Sequence, residues 1–207
     1  MIRAPGLFLL LITAILLAGT AASAVPDGYS DRPTRLQLAA IERTTHFVTY
    51  APGYRQLDYP GGDLPDSLGV CTDLIIRSYR ALDIDLQVEV YQDMLSSFQE
   101  YPPLWGLTRP DRNIDHRRVP NLQVFLERQG TKLPASETAG DYLPGDLVTW
   151  MLPGNLPHIG IVTARRSTDG KRPLLAHNIG QGPVLEDMLL RFVITGHYRY
   201  FGNTNRP

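Results

Sequence analysis

The pattern of the chain changes near Tyr142, and that change limits the fold more than any other feature. Before it, apolar residues recur at helical spacing between turn-rich loops. After it, short runs of β-formers alternate with loops containing Gly and Pro. Helices first and strands afterwards indicate an α+β domain, with N-terminal helices packed on an antiparallel sheet. The spacing predicts a helix over Arg35–Thr49, with Leu36, Leu38, Ala39, Ile41 and Phe47 available to the core. A second helix runs from Cys71 to about Leu82, with one buried stripe, and a third over Val88–Phe98. A fourth covers Val119–Gln129, with Pro120 near its start and Gly130 near its end. Strands are expected at Asp146–Trp150, His158–Thr163, Leu174–Ile179 and Phe192–Phe201, with Ser167–Arg172 as a polar hairpin tip.

Residues 1–24 have the layout of a secretory signal: Arg3, an apolar stretch from Leu7 to Leu17, and the small-residue site Ala22-Ser23-Ala24. The stretch is shorter than the roughly 20 residues a membrane span needs. Cleavage near Val25 is therefore expected to leave residues 25–207 as one domain, periplasmic or secreted, with no membrane anchor. With Arg3 in the leader, the remainder carries 19 basic and 21 acidic residues. That balance argues against a nucleic-acid partner. A chain of about 180 residues can bury a full core as a monomer, without staples.

The single cysteine, Cys71, cannot form an internal disulfide. It stands where a helix begins, so backbone N–H groups and the helix dipole are expected to favour the thiolate, a nucleophile. Such a nucleophile needs a base within reach and a third group to orient the base. His158, opening an apolar strand, is the candidate base. His177 on the next strand is the candidate orienter, with Asn178 as the alternative, since successive strand residues face opposite ways. In the intervening segment, Asp115-His116-Arg117-Arg118 offers donors suited to a carboxylate. His116 is also a rival base, and Asp146 reads as a turn residue. The five histidines and one cysteine show no close ligand pairs, so no metal or cofactor is expected.

Several blocks together resemble a bacterial family, domain of unknown function 1287. They are Gly69-Val-Cys-Thr-Asp73, Asp111-Arg-Asn-Ile-Asp-His-Arg-Arg-Val-Pro-Asn-Leu122, Pro144-Gly-Asp-Leu-Val148, His158-Ile-Gly-Ile161, His177-Asn-Ile-Gly180 and Gly196-His-Tyr-Arg-Tyr200. The resemblance covers roughly Arg35 to Phe201 and implies no particular reaction. A second likeness is to NlpC-type peptidases of the papain-like superfamily. Tyr59 with Gly61 and Gly62, Pro144-Gly-Asp-Leu147, His158-Ile-Gly-Ile161 and His177 match successive elements of that pattern. Val70 and Thr72-Asp73 depart from it around the cysteine.

The NlpC likeness implies a papain-like fold, with Cys71 as nucleophile, His158 as base and His177 as orienter. It also implies hydrolysis of amide bonds in peptidoglycan stem peptides. Tyr59, Asp73, His116, Arg117 and Arg118 are the candidate substrate-binding residues. The alternatives are a non-catalytic cell-envelope binding module on the same fold, and a thiol acyltransferase.

Overall fold

The computed structural model describes residues 31–202 and Met1; the expected leader lies outside the described residues. Helix α1 spans Arg32–Arg43, α2 Cys71–Arg80, α3 Leu86–Ser97 and α4 Val119–Gln129. Two short strands, β1 (Thr49–Tyr50) and β2 (Leu68–Gly69), pair in parallel. Strands β3 (Thr131–Leu133), β4 (Leu147–Leu152), β5 (Leu156–Arg166), β6 (Pro173–Asn178), β7 (Pro183–Glu186) and β8 (Val193–Arg199) form an antiparallel sheet. Its order is β3-β8-β4-β5-β6-β7. The α+β expectation agrees with this arrangement. No helix among the described residues is long and apolar enough to cross a membrane.

Alternation along the strands gives the sheet two apolar faces. Leu147, Ile159, Ile161, Ala176 and Tyr198 meet the helices. Val148, Trp150, Val162 and Leu175 meet Tyr142, Met188 and Leu189 from the flanking loops. Helix α2 is the central element on the helical side. Instead of one buried stripe it buries eight of its ten residues, Cys71 through Ile76 with Ser78 and Tyr79. A helix covered all round belongs in the interior, and each of Leu74, Ile75 and Ile76 contributes about 1.5–3 kcal/mol by burial.

The polar residues of α2 fasten what surrounds it. Arg77 donates to both carboxylate oxygens of Asp63 and to the carbonyls of Leu64 and Leu68, fixing the loop that enters the helix. Tyr79 donates to the Tyr200 carbonyl at 2.8 Å. Gln37 of α1 accepts from the Ala164 N–H of β5 at 2.6 Å.

Helix α1 begins and ends earlier than the spacing predicts. The Thr44 and Thr45 hydroxyls take the carbonyls of Ile41 and Glu42, closing the last turn. Phe47 is consequently 88% exposed and Leu38 57%, so neither joins the core. Strands β1, β2, β3 and β7 are additions that the sequence pattern did not announce. Asp146 is the expected turn residue, accepting the Leu143 N–H at 2.9 Å. It also pairs with His197 and Arg199 at 2.8 and 2.7 Å.

Candidate functional site

Cys71 is the first residue of α2, after the extended Val70. Asp73, at the third helical position, turns back and accepts the Val70 N–H at 2.7 Å, which sets the start of the helix. The Cys71 N–H has no acceptor among the described residues. The β1–β2 pairing places Tyr50 opposite Gly69, and the Ala51 N–H donates to the Gly69 carbonyl at 3.1 Å. Tyr50 thereby lines the same cleft as Cys71, near enough that its hydroxyl favours the sulfur anion.

The backbone N–H groups of Ile159 and Thr72 are near enough to favour the anion as well. Cys71 is 5% exposed yet lines an open cleft of about 370 Å³. Burial pushes its thiol up to about 11, against the hydrogen bonds that favour the anion. The expected thiolate is therefore replaced by a neutral thiol: the partial charge of the helix end is outweighed by desolvation, and Asp73 adds a repelling negative charge.

His158 and His177 are brought together. His158 Nε2 lies 3.2 Å from His177 Nδ1, with the rings edge to face. His177, not Asn178, is the residue that touches His158. Asn178 accepts the Gly180 N–H at 3.1 Å and lies beside Val70 and Asp73 on the helical side. His177 Nε2 approaches the Glu186 carboxylate to 3.2 Å, close enough for electrostatic attraction but off the alignment of a hydrogen bond.

The glutamate favours the tautomer with the proton on His177 Nε2, leaving Nδ1 as acceptor. His158 Nε2 is then the donor and His158 Nδ1 carries a lone pair. That Nδ1 has no protein hydrogen bond among the described residues, and it is not one of the buried, unpartnered atoms. Burial, with His177 beside it, pulls the His158 imidazole down to about 3, so it is neutral at pH 7. Trp150 packs beside the His158 ring, with centroids 5.9 Å apart. No imidazole nitrogen hydrogen-bonds the Cys71 sulfur among the described residues. The two imidazoles share the sheet face of Trp150, whereas Cys71 packs with Ile159 on the helical face, and His158 does not line the cysteine cleft. The expected approach of imidazole to sulfur is corrected by that alternation along β5.

The candidate binding residues divide. Arg117 and Asp73 are buried against each other at 2.9 and 3.0 Å. Arg117 also donates to the Ala51 carbonyl at 3.2 Å, so the pair clamps the Tyr50 segment onto α2 and leaves neither charge free for substrate. His116 is 2% exposed, has an unpartnered Nδ1, does not line the cleft and is pulled down to about 4 by burial. Its role as rival base or binding group is corrected by that enclosure. Tyr59 packs edge-on against Tyr91 of α3, 5.4 Å between centroids, and does not line the cleft. Arg118 does line it.

Sequence reasoning missed Tyr50 and Glu186. Tyr50 lies on a strand of two residues, too short to show a period, and Glu186 on a strand the pattern did not predict. Among the described residues no group of three His, Cys, Asp or Glu side chains is placed to hold a metal ion.

The chain matches the family described as "Domain of unknown function (DUF1287)" over residues 37–200. It is 50% identical over 152 residues to the uncharacterized protein YijF of Escherichia coli (strain K12), covering 73% of this chain and 74% of that protein. A match over that span, which includes Cys71, His158 and His177, makes this chain a member of the DUF1287 family.

Proposed function

We propose that the protein is an exported cysteine hydrolase of NlpC-like, papain-like type that cleaves amide bonds in peptidoglycan stem peptides. The observation that supports this reading is Cys71 at the first position of α2, lining an open cleft with its own N–H unpaired among the described residues, in a chain where His158 and His177 pair across β5 and β6. Export rests on the sequence of residues 1–24, and the substrate class on export together with the NlpC likeness.

The resting pair is a thiol and a neutral imidazole, so proton transfer accompanies attack instead of preceding it. The step requires the start of β5 to turn so that His158 Nδ1 meets the sulfur, because the ring rests on the Trp150 face of the sheet and outside the cleft. As Nδ1 takes the thiol proton, sulfur bonds to the amide carbonyl carbon. The oxyanion is met by the unpaired Cys71 N–H and the Tyr50 hydroxyl. His158 returns its proton to the amine as the C–N bond breaks, leaving a thioester. Water, deprotonated by His158, attacks that thioester; the S–C bond breaks, and the thiol and a free carboxylate result.

Acid quenching during digestion of muropeptides, followed by intact mass analysis, is expected to show an acyl group on Cys71 that decays as product accumulates. Product formation with no adduct at any time, and undiminished in Cys71→Ala, would overturn the reading. The thiol held at about 11 favours a second reading, a binding module that keeps the cleft without chemistry. That module binds muropeptides and releases no product.

A further inference from the structure

The loop before α4 places an exposed tryptophan and an arginine at the mouth of the cysteine cleft. Trp105 is 49% exposed and has a backbone φ of +64°, a left-handed conformation that is an outlier for a bulky residue. Gly106 follows with φ +65°, and Pro102-Pro103 precedes. Such strain persists only where the surrounding structure over-determines it, and it clusters at ligand clamps. Here it lays the indole over the Arg118 guanidinium, 4.0 Å from Cζ to the ring centroid.

Arg118 is held from below as well. Its Nη1 donates at 2.9 Å to Asp115, whose carboxylate is buried and also accepts the Asp111 N–H. Among the described residues that is the guanidinium's only hydrogen bond, which leaves Nε and Nη2 without protein acceptors. Arg118 lines the same cleft as Cys71 and Tyr50. The neighbouring Arg117 is fully occupied by Asp73 and backbone carbonyls. One arginine is thus spent on structure, while the next is braced on two sides with donors to spare.

We propose that Arg118, stacked on Trp105 and anchored by Asp115, is a carboxylate subsite that selects peptides carrying a free carboxylate near the bond presented to Cys71. A braced planar fork with one free edge fits a singly charged, planar carboxylate. A phosphate dianion calls for several cations, and this cleft wall offers one free guanidinium. The subsite rests on the hydrolase reading for its place near a scissile bond, but its binding is separable from the chemistry.

The test uses the full chain as Cys71→Ala, so that no turnover intervenes, and the peptide L-Ala-γ-D-Glu-L-Lys-D-Ala. Three forms are titrated: both carboxylates free, the D-Glu α-carboxylate amidated, and both amidated. Tryptophan fluorescence reports binding directly, because Trp105 is exposed and the other tryptophan, Trp150, is buried. The doubly amidated form is expected to bind about 10- to 100-fold more weakly than the free acid, the size of a charge-assisted hydrogen-bond pair. Arg118→Gln should abolish that discrimination, and Arg118→Lys, which keeps a cation for Asp115, should restore part of it. Thermal melting confirms that both variants fold. Equal binding of all three forms, no saturable binding of any, or discrimination undiminished in Arg118→Gln would overturn the subsite. Failure of the wild-type chain to cut peptides would overturn the hydrolase reading and leave acid-selective binding standing.

Discussion

At the level of single residues, the environment of Cys71 decides what kind of nucleophile it can be. Desolvation outweighs the helix end and the nearby Ile159 and Thr72 N–H groups, so the free protein holds a thiol where the sequence suggested a thiolate. Alkylation of the free protein by iodoacetamide should accordingly be slow at pH 7.5 and keep accelerating above pH 9, toward the value of about 11. A rate that levels off below about pH 8.5, the ordinary thiol value, would contradict the burial argument. Glu186 acts on His158 only through His177, which makes it a positioning residue. Glu186→Gln should leave the fold intact and lower kcat/KM roughly tenfold, the cost of one weakened charge-assisted contact. KM should change little, and Glu186→Asp should recover part of the loss. A purely structural role would instead lower the melting temperature with kcat/KM unchanged.

Among the elements, β4, β5 and β6 pack closely around the paired imidazoles, and Gly160 permits it. A Cβ there would stand 3.1 Å from the Ala176 carbonyl, 3.2 Å from His177 Cβ and 3.3 Å from the Trp150 ring. Gly160→Ala is expected to cost about 1–3 kcal/mol through overpacking, read as a shift in the urea midpoint, with activity falling further because His177 moves. Unchanged activity in a folded variant would show that the β5–β6 spacing is not critical.

What the sequence disclosed follows element length. Helix α4 was legible to the residue, because Pro120 and Gly130 bracket a full helical period. The β4–β5–β6 order was legible from β-branched runs and turns. Strands of two to four residues carry no period, so Tyr50 and Glu186 were hidden. The Asp73–Arg117 pair, 44 residues apart, is a product of folding that no local pattern encodes. For the same reason Tyr59 was named where Tyr50 stands.

Across the whole molecule, buried neutral histidines govern the response to acid. His116 and His158 are pulled down to about 4 and about 3, and His177 is lowered by burial despite Glu186. Their folded values lie below the unfolded one near 6.5. Between those limits the unfolded chain binds protons that the folded one does not, so stability present above pH 6.5 is lost as pH falls toward 3. Urea midpoints should therefore fall steeply from pH 7 to pH 5. A midpoint that holds steady over that interval would mean the three rings are solvated.

The central claim is that one sulfur and one imidazole act together on an amide. It is met most directly by turnover of purified stem peptides by the wild-type chain, Cys71→Ala and His158→Gln, each verified as folded. Cleavage by the wild type, with at least a thousandfold loss in each variant on the order expected when a nucleophile or its base is removed, is the predicted result. Equal cleavage by Cys71→Ala, or none by any of the three, would contradict it.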